Sequence, residues 1–291
     1  LDRSSAASDV YKRQIELSAS HVGELLTCPR RWFMTRRAGA SSGSALRASI
    51  GSLVHRICAG NMDQWSLPEA LAELEAAWPE IELSAEWQRS AELADAKAAV
   101  QRFDGWLQLR NRQLIGTEVR VDGTITVPSG TARVRGSIDR LERDAEGAYY
   151  VVDLKTGTSQ SDEIKQSHRL QIGVYQAVVA SGGVEAIGPA SVSGAELVHL
   201  RIGAGIGQAN PKVDYQSGLV DVPWPDEAEP VDGCCNWVEA SVDKALRIVT
   251  SGEYPAIANR GCGHCPARAG CPALVPMDPA TVGSDRRRNV P

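Results

Sequence analysis

Gly136-Ser137-Ile138-Asp139-Arg140 is followed, after a turn, by Val151-Val152-Asp153-Leu154-Lys155-Thr156-Gly157, and these two segments decide the fold. Both are rich in β-branched and apolar residues, and Asp144-Ala145-Glu146-Gly147 between them is a turn signal, so they read as adjacent strands of a hairpin. Residues two apart on a strand share a face, which puts Asp153 and Lys155 together and turns Val152 and Leu154 to the opposite, apolar side. The short turn brings Asp139 alongside Asp153, and Glu118 lies on the strand before. Three acids therefore converge beside one lysine. Hard oxygen donors of this kind suit Mg²⁺ or Mn²⁺, and a neighbouring cation can orient water or offset developing charge, as phosphodiester cleavage requires. An isolated Asp-x-Lys is usually a strand-edge ion pair; Gly-x-Ile-Asp and Glu118 upstream set this one apart.

Outward from the hairpin, the pattern divides the chain. Ser18-Ala19-Ser20 opens a helical stretch from Ile15 to Ala38, and Ala45 to Met62 is a second helix with Ile50, Leu53, Val54 and Ile57 on one face. Pro68 to Trp78 and Ala91 to Leu114 are helical by period and by Ala/Glu/Leu/Arg content. From Ile115 to Val127 and from Ala132 to Leu141 the alternation is that of strands. Glu163 to Ala180 returns to helical spacing, Ala195 to Ile202 and Gly218 to Val222 read as strands, and Gly203 to Gly207 as a flexible loop between them. Trp237 to Ser251 is a last helix. The fold class expected is α/β, a central mixed sheet flanked by helices with a helical N-terminal part.

The 291 residues, 43% hydrophobic and 23% charged, are ordinary for a globular protein with a sizeable core. No apolar run reaches the roughly 20 residues that span a bilayer, and no secretory signal is visible, so no membrane partner is expected and the location expected is cytoplasmic. A net charge of −5 does not advertise a nucleic-acid binder, but a metal site needs carboxylates and phosphate contacts can be local. Arg30, Arg31, Arg36 and Arg37, interleaved with Trp32 and Phe33, are one local basic cluster, whose bland reading is a solvated helix face. The polar, unpatterned residues 1–14 are read as a non-native leader, residues 15–275 as one domain, and the Pro-, Asp- and Arg-rich residues 276–291 as a disordered tail.

Two helical pairs complete the pattern. His55 follows Gly51 by one turn in Gly51-Ser52-Leu53-Val54-His55, where a small residue would leave room beside an imidazole. Gln171 and Tyr175 are i, i+4 neighbours on one helical face, within reach of the lysine or a phosphate. In this order, Gly-x-x-x-His, Glu118, Gly-x-Ile-Asp, Asp-x-Lys-Thr-Gly and Gln-x-x-x-Tyr resemble the RecB-like exonuclease branch of the PD-(D/E)xK nuclease superfamily, over about Ser18 to Pro272. The resemblance implies a restriction-endonuclease-like core and a metal-dependent deoxyribonuclease. It makes His55, Asp139 and Asp153 the metal ligands and Glu118 an assisting acid. Lys155 becomes the residue that positions water, supported by Gln171 and Tyr175.

Seven cysteines in a chain without a secretory signal point to metal binding rather than disulfides. Cys262, Cys265 and Cys271 form Cys-x2-Cys-x5-Cys, a tight chelating loop, and Cys28 would add a fourth thiolate from far away in sequence. Four thiolates fit a [4Fe–4S] cluster and also zinc, and the spacing does not separate them. One distant cysteine plus a C-terminal triplet is similar to the iron–sulfur staple of RecB-like nucleases of the AddB type, which implies the cluster, in a structural role. Cys58 reads as core; Cys234 and Cys235 have no pattern.

No Gly-x-x-x-x-Gly-Lys-Ser/Thr loop occurs. The resemblance nevertheless implies DNA as substrate and a helicase domain or subunit as partner, in double-strand-break repair. A CRISPR adaptation nuclease shares the same acids, lysine and cysteine layout. The reading from a different class is a non-catalytic, zinc-bearing DNA-binding module.

Overall fold

The computed structural model describes residues 14–40, 45–60, 65–81, 86–157, 162–205, 209–226 and 228–274. Nearly all of the leader expected at 1–14 and all of the tail expected at 276–291 lie outside them, as does part of the loop expected at 203–207. In chain order the elements are β1 (Ile15–Leu17), α1 (Ala19–Thr27), α2 (Pro29–Arg36), α3 (Ala45–Gly60), α4 (Leu67–Ala77) and α5 (Glu86–Gln108). Then come β2 (Gln113–Val127), β3 (Gly130–Arg143), β4 (Tyr149–Lys155), α6 (Asp162–Ala180), β5 (Val192–Gly203), β6 (Pro211–Ser217) and α7 (Trp237–Ser251).

The sheet has six strands in the order β1-β3-β4-β5-β6, with β2 on the other edge of β3. It is mixed: β1–β3 and β4–β5 are parallel, whereas β2–β3, β3–β4 and β5–β6 are antiparallel. Each face buries its own core. On one side Leu25 of α1, Leu170 and Val174 of α6 and Val242 and Leu246 of α7 meet Val134, Ile138, Leu141 and Val151 of the sheet. On the other, Val54 of α3, Leu74 of α4 and Phe103 of α5 close over Val152, Leu154, Val198 and Leu200. Val151 and Val152 enter opposite cores because successive strand side chains alternate. The expected α/β class, a mixed sheet flanked by helices, is the architecture found.

Local chemistry sets the boundaries. Ser18 caps α1 by accepting from His21 N, and the His21 ring accepts from Ser18 N in return. Asn236 caps α7 at the predicted start, and Gly252, at φ 70°, ends it in the left-handed region. Three expectations are corrected. The stretch expected to be helical from Ile15 to Ala38 begins as a strand, Ile15–Leu17 pairing with Ala132–Val134 of β3, and breaks at Cys28 between α1 and α2. The helix expected to reach Leu114 stops at Gln108, and Gln113 already pairs with Arg143 in β2. Gly218 to Val222 is not a strand: residues 219–221 turn, and Val220 is 88% exposed. The edge of β5 is taken by Pro211–Ser217, where Pro stands at the first position and so removes no ladder hydrogen bond from the interior.

Behind the sheet lies a charged core that strand alternation did not announce. Glu142 and Glu196 are fully buried, and Arg110, Arg112 and Arg140 surround them. Arg110 reaches Glu196 at 2.5 Å and Arg112 reaches Glu142 at 2.9 Å. The guanidiniums also lie over aromatic rings, Arg110 4.4 Å from the centre of Trp106 and Arg112 3.5 Å from that of Tyr150. This network joins the end of α5 to β3 and β5. Burial pushes the Glu196 carboxyl up to about 7, against the pull of Arg112.

Candidate active site

At the C-terminal end of β4 the sequence-marked acids and lysine meet side chains of α3 and α6, which carry His55 and Gln171. The β2–β3 ribbon is distorted at this point. Thr117 pairs with Arg140 and Val119 with Ile138, so Glu118 stands opposite Asp139 by register. Glu118 adopts φ 46°, the one positive φ of a non-glycine residue among those described. At the same place the core phase of β3 slips: Ala132, Val134 and Ile138 are buried at even positions, then Leu141 at an odd one. A left-handed backbone at a side chain with a Cβ costs about 1–3 kcal/mol and is characteristic of functional positions. Here it aims the Glu118 carboxylate at α3.

The imidazole of His55 lies between two carboxylates. Its Nδ1 is 3.3 Å from Glu118 Oε1 and its Nε2 is 3.0 Å from Asp139 Oδ2. Ligand atoms of His55, Glu118 and Asp139 all lie within 4.8 Å of one another, a spacing that can hold a metal ion. Leu154 N donates to Asp139 Oδ2 at 2.6 Å, and Ser137 Oγ donates to Glu118 Oε2 at 2.9 Å, so both acids are held from behind. The hydrogen bond to Asp139 raises the His55 pKa, with further pull from Asp139, Glu118 and Asp153. The field that retains this proton is the field that attracts a divalent cation.

Asp153 is placed differently. Only 3% exposed, it lies behind the trio, with Lys155 Nζ 2.7 Å from Oδ2 and Gln171 Nε2 donating to Oδ1 at 3.0 Å. Lys155 Nζ also donates to Gln171 Oε1 at 2.8 Å, closing a triangle of acid, amine and amide. Burial raises the Asp153 pKa, Lys155 opposes it and Asp139 adds to it. Tyr175 packs its hydroxyl against Gly136, where a Cβ would stand 3.0 Å from the oxygen. Burial pushes its pKa up to about 12, so at neutral pH it is a phenol able to donate.

His55, Glu118, Asp139, Asp153, Lys155 and Gln171 thus meet at one site, though not in the grouping expected of them. His55 and Asp139 sit together with Glu118 as the third member, while Asp153 is engaged by Lys155 and Gln171. The space left by Gly51 is also used otherwise than expected. A Cβ there would stand 2.7 Å from Thr156 Oγ1, so the glycine lets α3 rest on the end of β4 rather than making room for the imidazole. Ser137 and His168 were not singled out from the sequence. Ser137 lies two residues before Asp139 on the strand, and His168 precedes Gln171 and Tyr175 at helical spacing, so both were legible from period. Burial, then Lys155, lowers His168 to about 4 and keeps it neutral.

The four cysteines marked in the sequence also come together. Cys28, at the start of α2, lines one small pocket with Cys262, Cys265 and Cys271, beside Arg30, Arg31 and Arg268. Asn259 N donates to Cys262 Sγ at 3.3 Å. The C-terminal segment is docked there by Arg30 N donating to Pro255 O and by Tyr254 stacking on Phe33, ring centres 4.6 Å apart. Cys58 is buried in α3, where burial raises its thiol pKa. Cys234 and Cys235 lie elsewhere.

The mixed sheet, the helices on both faces and the acidic cluster beside Asp153 and Lys155 define the restriction-endonuclease-like class of α/β nucleases. The chain belongs to the PD-(D/E)XK nuclease superfamily, whose sequence profile matches residues 16–272. Among solved structures it is similar to the crystal structure of SSO0001, with 17% identity and a TM-score of 0.43 over 90% of this chain and 88% of that one. No curated protein matches it. None of the helices described is long and apolar enough to cross a membrane.

The strain at Glu118 has a measurable consequence. Glu118→Gly and Glu118→Ala both remove the carboxylate, but only glycine adopts φ 46° freely, so the Gly variant is expected to be the more stable by about 1 kcal/mol. Thermal unfolding of the two variants side by side checks this. An Ala variant that melts at or above the Gly variant would remove the strain from the account.

Proposed function

We propose that the chain is a metal-dependent DNA exonuclease that hydrolyses phosphodiester bonds at the His55–Glu118–Asp139 cluster. The observation that carries this reading is the convergence of one imidazole and two carboxylates within 4.8 Å, next to a buried acid–lysine pair. The donor set fits a divalent ion: the carboxylates suit Mg²⁺ or Mn²⁺, and the imidazole tilts the preference toward Mn²⁺. His55, Glu118 and Asp139 would hold it, and the motif resemblance adds Asp153, whose oxygens here face Lys155 and Gln171. When bound, such an ion polarises a phosphate oxygen and lowers the pKa of water.

The remaining work falls to the chain. Lys155 is 18% exposed at the side chain, and Asp153 and Gln171 fix the direction of its amine. It orients the attacking water and offsets charge as the phosphate becomes pentavalent. Gln171 bridges Asp153 and Lys155, so neither can turn away without breaking the other's contact. In-line attack then leaves a 5′-phosphate and a 3′-hydroxyl. The exonuclease reading and the association with a helicase in double-strand-break repair rest on the order of motifs along the chain. End-labelled linear duplex and covalently closed circles of the same sequence discriminate: the linear form should be degraded and the circles spared. Circles nicked as fast as linear DNA would make the enzyme an endonuclease.

The shared pocket of Cys28, Cys262, Cys265 and Cys271 supports a structural metal centre joining α2 to the C-terminal segment. We assign it to a [4Fe–4S] cluster, whose sulfurs are commonly stabilised by N–H donors such as that of Asn259. Iron and sulfide assays on anaerobically purified protein should find both. A colourless, zinc-loaded protein would overturn the assignment.

A further inference from the structure

The solvent face of the β2–β3 ribbon continues out of the cluster as a ladder of polar side chains. Beyond Glu118 and Asp139 the rungs are Arg120 opposite Ser137, Asp122 opposite Arg135, and Thr124 opposite Arg133. The opposite faces of the same strands are the core positions Val121, Ile125, Ala132 and Val134, so these rungs point away from the core. A groove runs along them, walled on its far side by residues 181–186 and reaching Glu118 and Ser137 at its inner end. Arg135 is shared with a second hollow, lined by His21, Arg36 and Arg37, which extends the same path past β1.

The arginines along this path are of two kinds. Asp122 holds Arg133 through two bonds of 2.7 Å and Arg135 at 3.1 Å, and Glu16 takes Arg135 Nη1 at 2.9 Å. These clamps keep two guanidiniums upright on the ribbon while leaving their remaining N–H groups free to donate. The pair of arginines holds the Asp122 carboxyl down at about 2, so the clamp stays ionised throughout the neutral range. Arg120 differs: exposed and one rung from the cluster, it has no hydrogen bond or ion pair among the described residues. An unclamped guanidinium beside a phosphodiester-cleaving centre suits one ligand chemistry, the phosphate of a neighbouring nucleotide.

We propose that this ribbon face is the track on which a single nucleic-acid strand lies as it enters the cluster, with Arg120 and Arg135 as its first phosphate contacts. The inference rests on the nuclease reading of the cluster and adds to it the path of the substrate. From Glu118/Asp139 to Thr124/Arg133 the ladder runs six residues, about 20 Å at ~3.4 Å per residue. A stacked strand advances about 3.4 Å per phosphate, so the track accommodates roughly six nucleotides.

Fluorescence anisotropy with labelled oligothymidylates of increasing length, in EDTA so that no cleavage occurs, tests the track independently of catalysis. Affinity should rise up to roughly six nucleotides beyond the cluster and then level off. Arg120→Ala should weaken binding about 5–10-fold and flatten the dependence of log K on log salt by about 0.7, the share of one phosphate contact on a single strand. Arg135→Ala should act in the same direction. Arg143→Ala, at the far end of β3 and outside the groove, should bind as the wild type does. Unchanged affinity and salt slope in both Arg120→Ala and Arg135→Ala would overturn the track and leave the cleavage reading standing. A wild-type chain that binds duplex but no single strand would overturn it as well. Binding that follows this pattern in a chain that cleaves nothing under Mg²⁺ or Mn²⁺ would support the track and sink the nuclease reading instead.

Discussion

Asp153→Asn is expected to lower DNA cleavage by at least about 10³-fold while leaving the protein folded and no less stable. The side chain keeps its shape, so its packing at 3% exposure is preserved, but the charge that holds Lys155 Nζ at 2.7 Å is gone. With it goes one of the two carboxylate oxygens that face Lys155 and Gln171. Losing one preorganised electrostatic group at a reacting centre typically costs 10²–10³ in rate, and losing a carboxylate that also serves a metal costs more. Stability moves the other way. Burial already raises the Asp153 pKa, so the ionised group is held at a net cost in the folded state. Asparagine removes that cost, and Lys155, at 18% side-chain exposure, can be solvated. Rates on linear DNA together with thermal melts check both halves. Cleavage near the wild-type rate would remove Asp153 from the chemistry, and a melting temperature well below wild type would show that the acid is structural.

Glu142→Ala is expected to be the more damaging change to the fold. Glu142 is fully buried and is the common partner of Arg110, Arg112 and Arg140. Truncating it removes the acid these guanidiniums share and leaves Glu196, whose carboxyl burial holds up to about 7, paired with Arg110 and Arg112. Breaking a buried ion pair by removing one partner costs about 3–5 kcal/mol when the remaining charge stays desolvated, as that of Arg140 does at 6% side-chain exposure, a third of that of Lys155. For a domain of this size that lowers the melting temperature by roughly 10 °C. Glu196→Gln should behave differently, costing under about 1.5 kcal/mol, since it retains an acceptor for Arg110 and gives up a charge only partly present at neutral pH. Equal losses in the two variants would contradict the assignment of Glu142 as the hub.

How much of this was legible follows residue by residue. The hairpin carrying Asp139 and Asp153 was readable because Val151 to Leu154 alternate between two real cores. The helix from Trp237 to Ser251 was readable because its apolar period is undiluted and Asn236 caps it. The end of α5 was not. Arg110 and Arg112 look like surface helix residues in sequence, and it is their burial against Glu142 and Glu196 that ends the helix and starts β2. The strand at Pro211–Ser217 was missed because Pro, Lys and Asp mask an edge strand, and Gly218 to Val222 was over-read from an alternation with no partner to pair with. At the site, residue identities came through and their geometry did not. No sequence signal announces a positive φ at Glu118, and that torsion aims Glu118 at His55, while Asp153 is engaged by Lys155 and Gln171.

Incubation of the purified chain with linear DNA in Mg²⁺ or Mn²⁺, with and without EDTA, and in parallel with Asp139→Asn, tests the central claim most directly. The account predicts degradation by the wild type in the presence of metal, none in EDTA and none by the variant. Intact DNA in both metals, or equal degradation with EDTA present, would contradict it.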